Sequence, residues 1–192
     1  LAMFFWQVVT QRLHKLSLEF GVDRHRRRSA ERSLEHLHEF LDMSETLALG
    51  AGIETVIENL VVAASSLMNA ERASLFLSDN STRELYSMVV EGEELRELRL
   101  PFGSGVAGWV AEHQRLVNIE SAYEDPRFNQ EVDRKTGFKT RSILCGPIKN
   151  MRNELIGVVQ VINKAVGKFE REDERLFRVF TSQAAVAVEN YH

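Results

Sequence analysis

Apolar residues recur at three- and four-residue steps over residues 53–67, where Ile53, Val56, Ile57, Leu60, Val61, Ala64 and Leu67 share one side of a helical wheel. The period then falls to two. ASLFLS (73–78) and ELYSMVV (84–90) read as strands around the polar turn DNSTR, and ELRLPF (97–102) as a short third strand. GSGVAGWVAEHQ (103–114) is a glycine-rich turn opening a short helix, and LVNI (116–119) a fourth strand. A polar excursion over 120–140 holds a short helix near 130–136. RSILCGPIK (141–149) and LIGVVQVINK (155–164) are two strong strands around the hairpin loop NMRNE. A final helix, about 171–191, carries Leu176, Phe177, Phe180, Ala184, Ala187, Val188 and Tyr191 on one side.

Residues 1–50 follow a different pattern. A mixed helical spacing runs to Phe20 and breaks at Gly21, and a charged helix then shows only the narrow stripe Leu34, Leu37, Leu41. Such a stripe packs against a partner helix rather than into a core. The expected organisation is a helical arm, 1–50, followed by one domain, 51–192. Residues 30–48 and the last helix, 171–191, are expected to form a parallel coiled coil and so a homodimer. Adjacent strands with tight loops favour an antiparallel sheet, and terminal helices favour one covered face. The class is α+β, not a βαβ nucleotide fold.

Charge and chemistry narrow the function. The chain has 192 residues and a net charge of −4, a poor balance for non-specific nucleic-acid binding. The arginine run DRHRRR (23–28) then reads as a solvated helical face. LAMFFWQVV is interrupted at Gln7, far short of the ~20 apolar residues that span a bilayer. The first residue is Leu, so a piece of a longer protein is expected. The single cysteine, Cys145, rules out an internal disulfide and a Cys-based zinc cluster, and a reducing, cytoplasmic setting is expected. Its alternation with apolar neighbours makes it a core residue.

No metalloprotease, serine-hydrolase, Walker or kinase signature occurs, and the six histidines neighbour no nucleophile motif. His36 and His38, two apart on a helix, face different ways. The fragment is therefore expected to be regulatory, not catalytic. GSGVAGWV has glycines at 103, 105 and 108 where a helix begins. That geometry either exposes backbone N–H groups to an anion or simply permits close packing.

One connector remains: NKAVGKFEREDE (163–174), an Asn-Lys pair, a lone Phe and an acidic cluster at a helix mouth. Together with RASLFLSD, LPFGSGVAGWVAEHQRLVNI, AYEDPRFNQEVDRKTGFKTRSILCGPIKN and ELIGVVQVINK, it makes the chain from about 50 to 192 resemble a GAF domain. The likeness is to the cyclic-nucleotide-binding GAF domains of phosphodiesterases and bacterial adenylyl cyclases. Its hallmark falls on Asn163, Lys164, Phe169, Asp173 and Glu174.

The resemblance implies a PAS-like, six-stranded antiparallel sheet with flanking helices and a pocket under a mobile lid. It also implies dimerisation through the flanking helices and relay to an output domain. By position it implies that Ser74 meets the base, that Glu91 offers its backbone to the purine edge, and that the Val106 and Ala107 amides hold the cyclic phosphate. Asp133, Thr136 and Thr140 become polar lid and pocket residues. The motif residues support the pocket from outside it, with Lys164 ending the strand and pairing with Asp173 in the first turn of the helix.

Three positions depart from the family pattern. Val90 replaces the stacking aromatic, whose stack is worth ~1–3 kcal/mol. Asn129 replaces a lid Tyr, and Gln160 replaces a Glu on the sixth strand. An amide both donates and accepts, which tilts the expectation slightly to cAMP over cGMP. Two other readings stay open: a ligand-free GAF scaffold for dimerisation and relay, and a GAF sensor of another small molecule.

Overall fold

The computed structural model describes residues 52–91 and 94–190, and within them the backbone alone of 88–91, 94–97, 135 and 136. The helical arm, its Leu34, Leu37 and Leu41 stripe, and the coiled coil and dimer expected from them lie outside the described residues.

The first described element is α1 (Ile53–Leu67), which buries Val56, Leu60, Ala63 and Ala64. A turn at Met68 and Asn69 leads to β1 (Ala70–Asp79), β2 (Glu84–Glu91) and β3 (Glu94–Pro101). α2 (Gly105–His113) and the short β4 (Val117–Ile119) follow, then a 3-10 turn (Ala122–Glu124) and α3 (Gln130–Thr136). β5 (Ile143–Lys149), β6 (Leu155–Lys164) and α4 (Arg171–Glu189) complete the order. The six strands form one sheet in the order β3-β2-β1-β6-β5-β4, and every neighbouring pair is antiparallel.

Strand alternation assigns two faces. On one, Leu144 lies opposite Val161 and Gly146 opposite Val159. Gly146 leaves room for Phe177 of α4, whose ring carbon comes within 3.0 Å of where a Cβ would stand. Phe177 and Phe180 have no solvent exposure, and burying each contributes about 1.5–3 kcal/mol. On the other face, Phe76, Ile143, Cys145 and Val158 pack with Val106 and Val110 of α2 in one cluster.

Both faces are thus covered, where sequence patterning predicts one. The missed layer has little helical amphipathicity to read: α2 is GVAGWVAEH and α3 is QEVDRKT, with a single apolar residue. A second difference lies at Arg141 and Ser142, expected as the start of β5. Their N–H groups donate to the side chain of Asn163 at 2.6 and 3.3 Å, and the strand begins only at Ile143.

Candidate functional site

Between the N-terminal end of α2, helix α3 and the sheet face that α2 covers lies a cavity of about 150 Å³. Its walls are Phe76, Leu100, Ile143, Gln160 and Ile162 from the sheet side, residues 104–107 from α2, Phe128, Asn129, Val132 and Asp133 from the lid, and Thr140.

The α2 wall follows from backbone chemistry. Gly103, at φ 84°, turns the chain after β3, and its N–H donates to Gly108 O at 2.8 Å. A Cβ on Gly108 would stand 2.6 Å from the carbonyl oxygen of Pro101, so only glycine lets the helix sit this close to the end of β3. Ser104 caps the helix without a side-chain hydrogen bond. The first-turn amides, including those of Val106 and Ala107, have no intrahelical acceptor. They form an electropositive end suited to an anion.

Asp133 closes the lid. Only 5% exposed, its carboxylate accepts from Thr140 N at 2.7 Å, Thr140 Oγ1 at 2.8 Å and Tyr123 Oη at 2.9 Å. Burial pushes its pKa up, but the hydrogen bonds from Thr140 and Tyr123 outweigh it and hold the group below the ordinary aspartate value of 3.8. The same bond raises the pKa of the Tyr123 phenol. The sign follows by linkage. A carboxylate with a depressed folded pKa contributes fully above pH 3.8, and the contribution is lost as pH falls through the folded value. The lid is therefore expected to loosen only in acid. The protection of the Thr140 amide, its intrinsic exchange rate divided by the observed one, is expected to fall in the wild type as pH is lowered from 6 to 3. In Asp133→Asn that pH dependence disappears.

Gln160 is half-buried in the cavity wall and sits opposite Ser74 in register. Ser74 shares the face of Phe76, two residues away, but is outside the cavity lining. Asn129 lines the cavity while capping α3, accepting from Glu131 N at 3.0 Å. Val90 and Glu91 end β2, their backbones paired with Leu95 and Glu94. Thr136 is the last residue of α3. Cys145 has no exposure, and burial raises its thiol pKa well above the ordinary range. Among the described residues, no three His, Cys, Asp or Glu side chains converge to hold a metal. No helix among them is long and apolar enough to cross a membrane.

The motif residues lie beside the cavity rather than in it. Asn163, fully buried at φ 59°, donates from Nδ2 to Glu71 Oε2 at 2.7 Å and Lys139 O at 2.9 Å. Its Oδ1 accepts from Arg141 N and Ser142 N. Lys164 Nζ donates to Met68 O at 2.9 Å and to Asp173 Oδ1 at 2.7 Å. Asp173 also accepts from Glu170 N at 2.8 Å, capping α4. Phe169 is buried, and Glu174 accepts from Asn118 Nδ2 at 2.9 Å.

Sequence reasoning missed Tyr123, Phe128, Glu71 and Arg72. The signal for the first two was proximity to the lid helix in AYEDPRFNQEVD. Glu71 and Arg72 sit on a strand 60 or more residues from their partners and gave no local signal.

Comparison with known proteins agrees with this geometry. The GAF domain family model matches residues 52–188. A probable 3′,5′-cyclic phosphodiesterase of Caenorhabditis elegans is 36% identical over 188 residues, covering 91% of this chain and 25% of that protein. The cGMP-specific 3′,5′-cyclic phosphodiesterase of Drosophila melanogaster is 34% identical over 167 residues, covering 79% of this chain and 15% of that protein. The chain thus spans a quarter or less of these relatives. Among solved structures, the GAF domain of an Acinetobacter phosphoenolpyruvate-protein phosphotransferase superposes with a TM-score of 0.69 at 19% identity, covering 85% of this chain and 95% of that one. At that identity the likeness concerns the fold.

Proposed function

This chain belongs to the GAF domain family, and on that basis we propose that it is a regulatory domain that senses a 3′,5′-cyclic nucleotide. The observation that carries the proposal is the cavity itself. Free first-turn amides of α2 line one wall, and the Gln160 carboxamide lines another. A cyclic phosphate suits the first and a purine edge suits the second. In this reading the domain does no chemistry of its own. It passes ligand state through its flanking helices, in a dimer, to an output domain.

Both nucleotides fit the carboxamide, which donates and accepts. The Drosophila relatives are cGMP-specific phosphodiesterases, and this makes cGMP, rather than cAMP, the first ligand to test. The cavity, at about 150 Å³, is smaller than the ≈ 300 Å³ at which small-molecule pockets begin. In this reading α3 moves outward as a nucleotide enters, and the same smallness supports the ligand-free scaffold as the competing reading.

Thermal denaturation separates the two. A nucleotide present at about 100 times its Kd stabilises by ≈ 2.7 kcal/mol, which raises Tm by roughly 5–10 °C for a domain of this size. If neither cGMP nor cAMP at millimolar concentration moves Tm, the sensing proposal fails and the scaffold reading stands.

A further inference from the structure

The lid has a second attachment that the cavity does not explain. α3 ends at Gly137, in the left-handed conformation at φ 69°, and residues 137–142 return the chain to β5. Two consecutive residues at the start of β1 reach this return segment. The Arg72 guanidinium lies 3.9 Å above the centre of the Phe138 ring. Glu71 pairs with Arg141 and accepts from Asn163 Nδ2, which itself holds Lys139 O. Consecutive strand residues leave the backbone on opposite sides, yet here both find the same short segment, at Phe138 and Arg141.

We propose that Glu71 and Arg72 are positioning residues for the lid, fixing its return segment from outside the cavity and linking it to the end of α1. The ligand-binding consequence rests on the cyclic-nucleotide reading above, whereas the positioning itself does not. An exposed ion pair alone contributes little. The Glu71 carboxylate, however, has a second partner in the fully buried Asn163, so its geometry is set before Arg141 arrives. Both bonds also hold its pKa below the ordinary glutamate value of 4.5.

Only three residues, 68–70, separate Glu71 from Leu67 at the end of α1. Lys164 Nζ ties that same end, through Met68 O, to Asp173 at the start of α4. A shift of either flanking helix is therefore delivered to the strand start that grips the lid. Asn163 and Lys164 are adjacent on β6 and hold different parts: Asn163 faces the lid return, and Lys164 faces both helix ends.

The test is a double variant, Glu71→Ala with Arg72→Ala. Its control is Arg175→Ala, which removes the exposed Arg175–Glu172 pair within α4. In protein without nucleotide, hydrogen exchange at the amides of Thr140, Arg141 and Ser142 is expected to be roughly tenfold faster in the double variant, from loss of the Arg72–Phe138 cation–π contact, the Glu71–Arg141 ion pair and the Asn163–Glu71 hydrogen bond. The control leaves these amides unchanged. The dissociation rate of bound cGMP rises by a similar factor.

Unchanged protection at these three amides overturns the proposal, and so does acceleration spread evenly over the domain. Faster exchange with an unchanged cGMP dissociation rate overturns the link to binding. A wild type that binds neither cGMP nor cAMP refutes the sensing function alone, and the exchange measurement still decides the positioning role.

Discussion

Asn163→Ala is expected to lower the stability of the domain by about 3–4 kcal/mol, the loss for a buried hub of several hydrogen bonds, and to reduce Tm by roughly 10 °C. The side chain has no solvent exposure, and its removal strands the amides of Arg141 and Ser142 and the carbonyl of Lys139. Alanine must also adopt φ near 59°, which costs roughly 1 kcal/mol for a residue with a Cβ. Asn163→Gly separates the two contributions, because glycine relieves the backbone strain and restores no hydrogen bond. Urea denaturation of both variants measures each part. A loss below about 1 kcal/mol for the alanine variant, no more than a single hydrogen bond, contradicts the assignment of Asn163 as the bolt of the lid return.

Lys164→Ala is expected to be the second most damaging change, at about 2 kcal/mol, and to weaken nucleotide binding without touching the cavity. Lys164 and Asp173 are 15% and 18% exposed at their side chains, so the carboxylate left behind is poorly compensated by water. Asp173 keeps only the Glu170 N–H, and the Met68 carbonyl loses its donor. Lys164→Met retains most of the aliphatic stem and removes the ammonium, which lies 5.7 Å from the centre of the Phe169 ring, so the difference between the two variants isolates packing. Because the pair is mostly shielded, the deficit is expected to persist at about 0.5 M salt, where an exposed pair is screened. Calorimetric titration with cGMP and a melting curve test both effects. An unchanged Kd together with an unchanged Tm refutes the indirect role.

Much of the fold is legible in the sequence because its strands are strongly patterned. The run LIGVVQVINK predicts a strand over 155–164, and β6 spans Leu155–Lys164. The helix expected at 53–67 has the same ends as α1. Strand starts differ by two or three residues where side chains replace the ladder or where charge obscures the period, as at Glu94–Arg96 of β3 and Ala70–Arg72 of β1. The site is legible only through the family resemblance, which reaches residues far apart in sequence. Val106, Ala107, Asn129, Asp133, Thr140 and Gln160, named from the family resemblance, all line one cavity. Ser74 lies just beyond it, and the side chains of Val90, Glu91 and Thr136 are outside the described residues. What the sequence hides is the polar wiring. A carboxylate such as Asp133 looks like a ligand contact in a string of letters. In space its oxygens are occupied by Thr140 and Tyr123, and it offers the ligand little until the lid moves.

The strand order has a consequence for how the domain comes into being. The two central strands, β1 and β6, are the first and the last among the described residues, and their pairs run from Leu77 with Gly157 to Ala70 with Lys164, separations of 80 and 94 residues. Neither half of the sheet, β1–β2–β3 or β4–β5–β6, has a partner for its inner edge until the other arrives. The loop closed between them is long, and its entropy must be lost before the central contacts compensate. On a ribosome the sheet cannot close until Lys164 has left the exit tunnel. The β1 edge waits exposed until then; β6 covers it, and α4, emerging after it, closes the remaining face with Phe177 and Phe180.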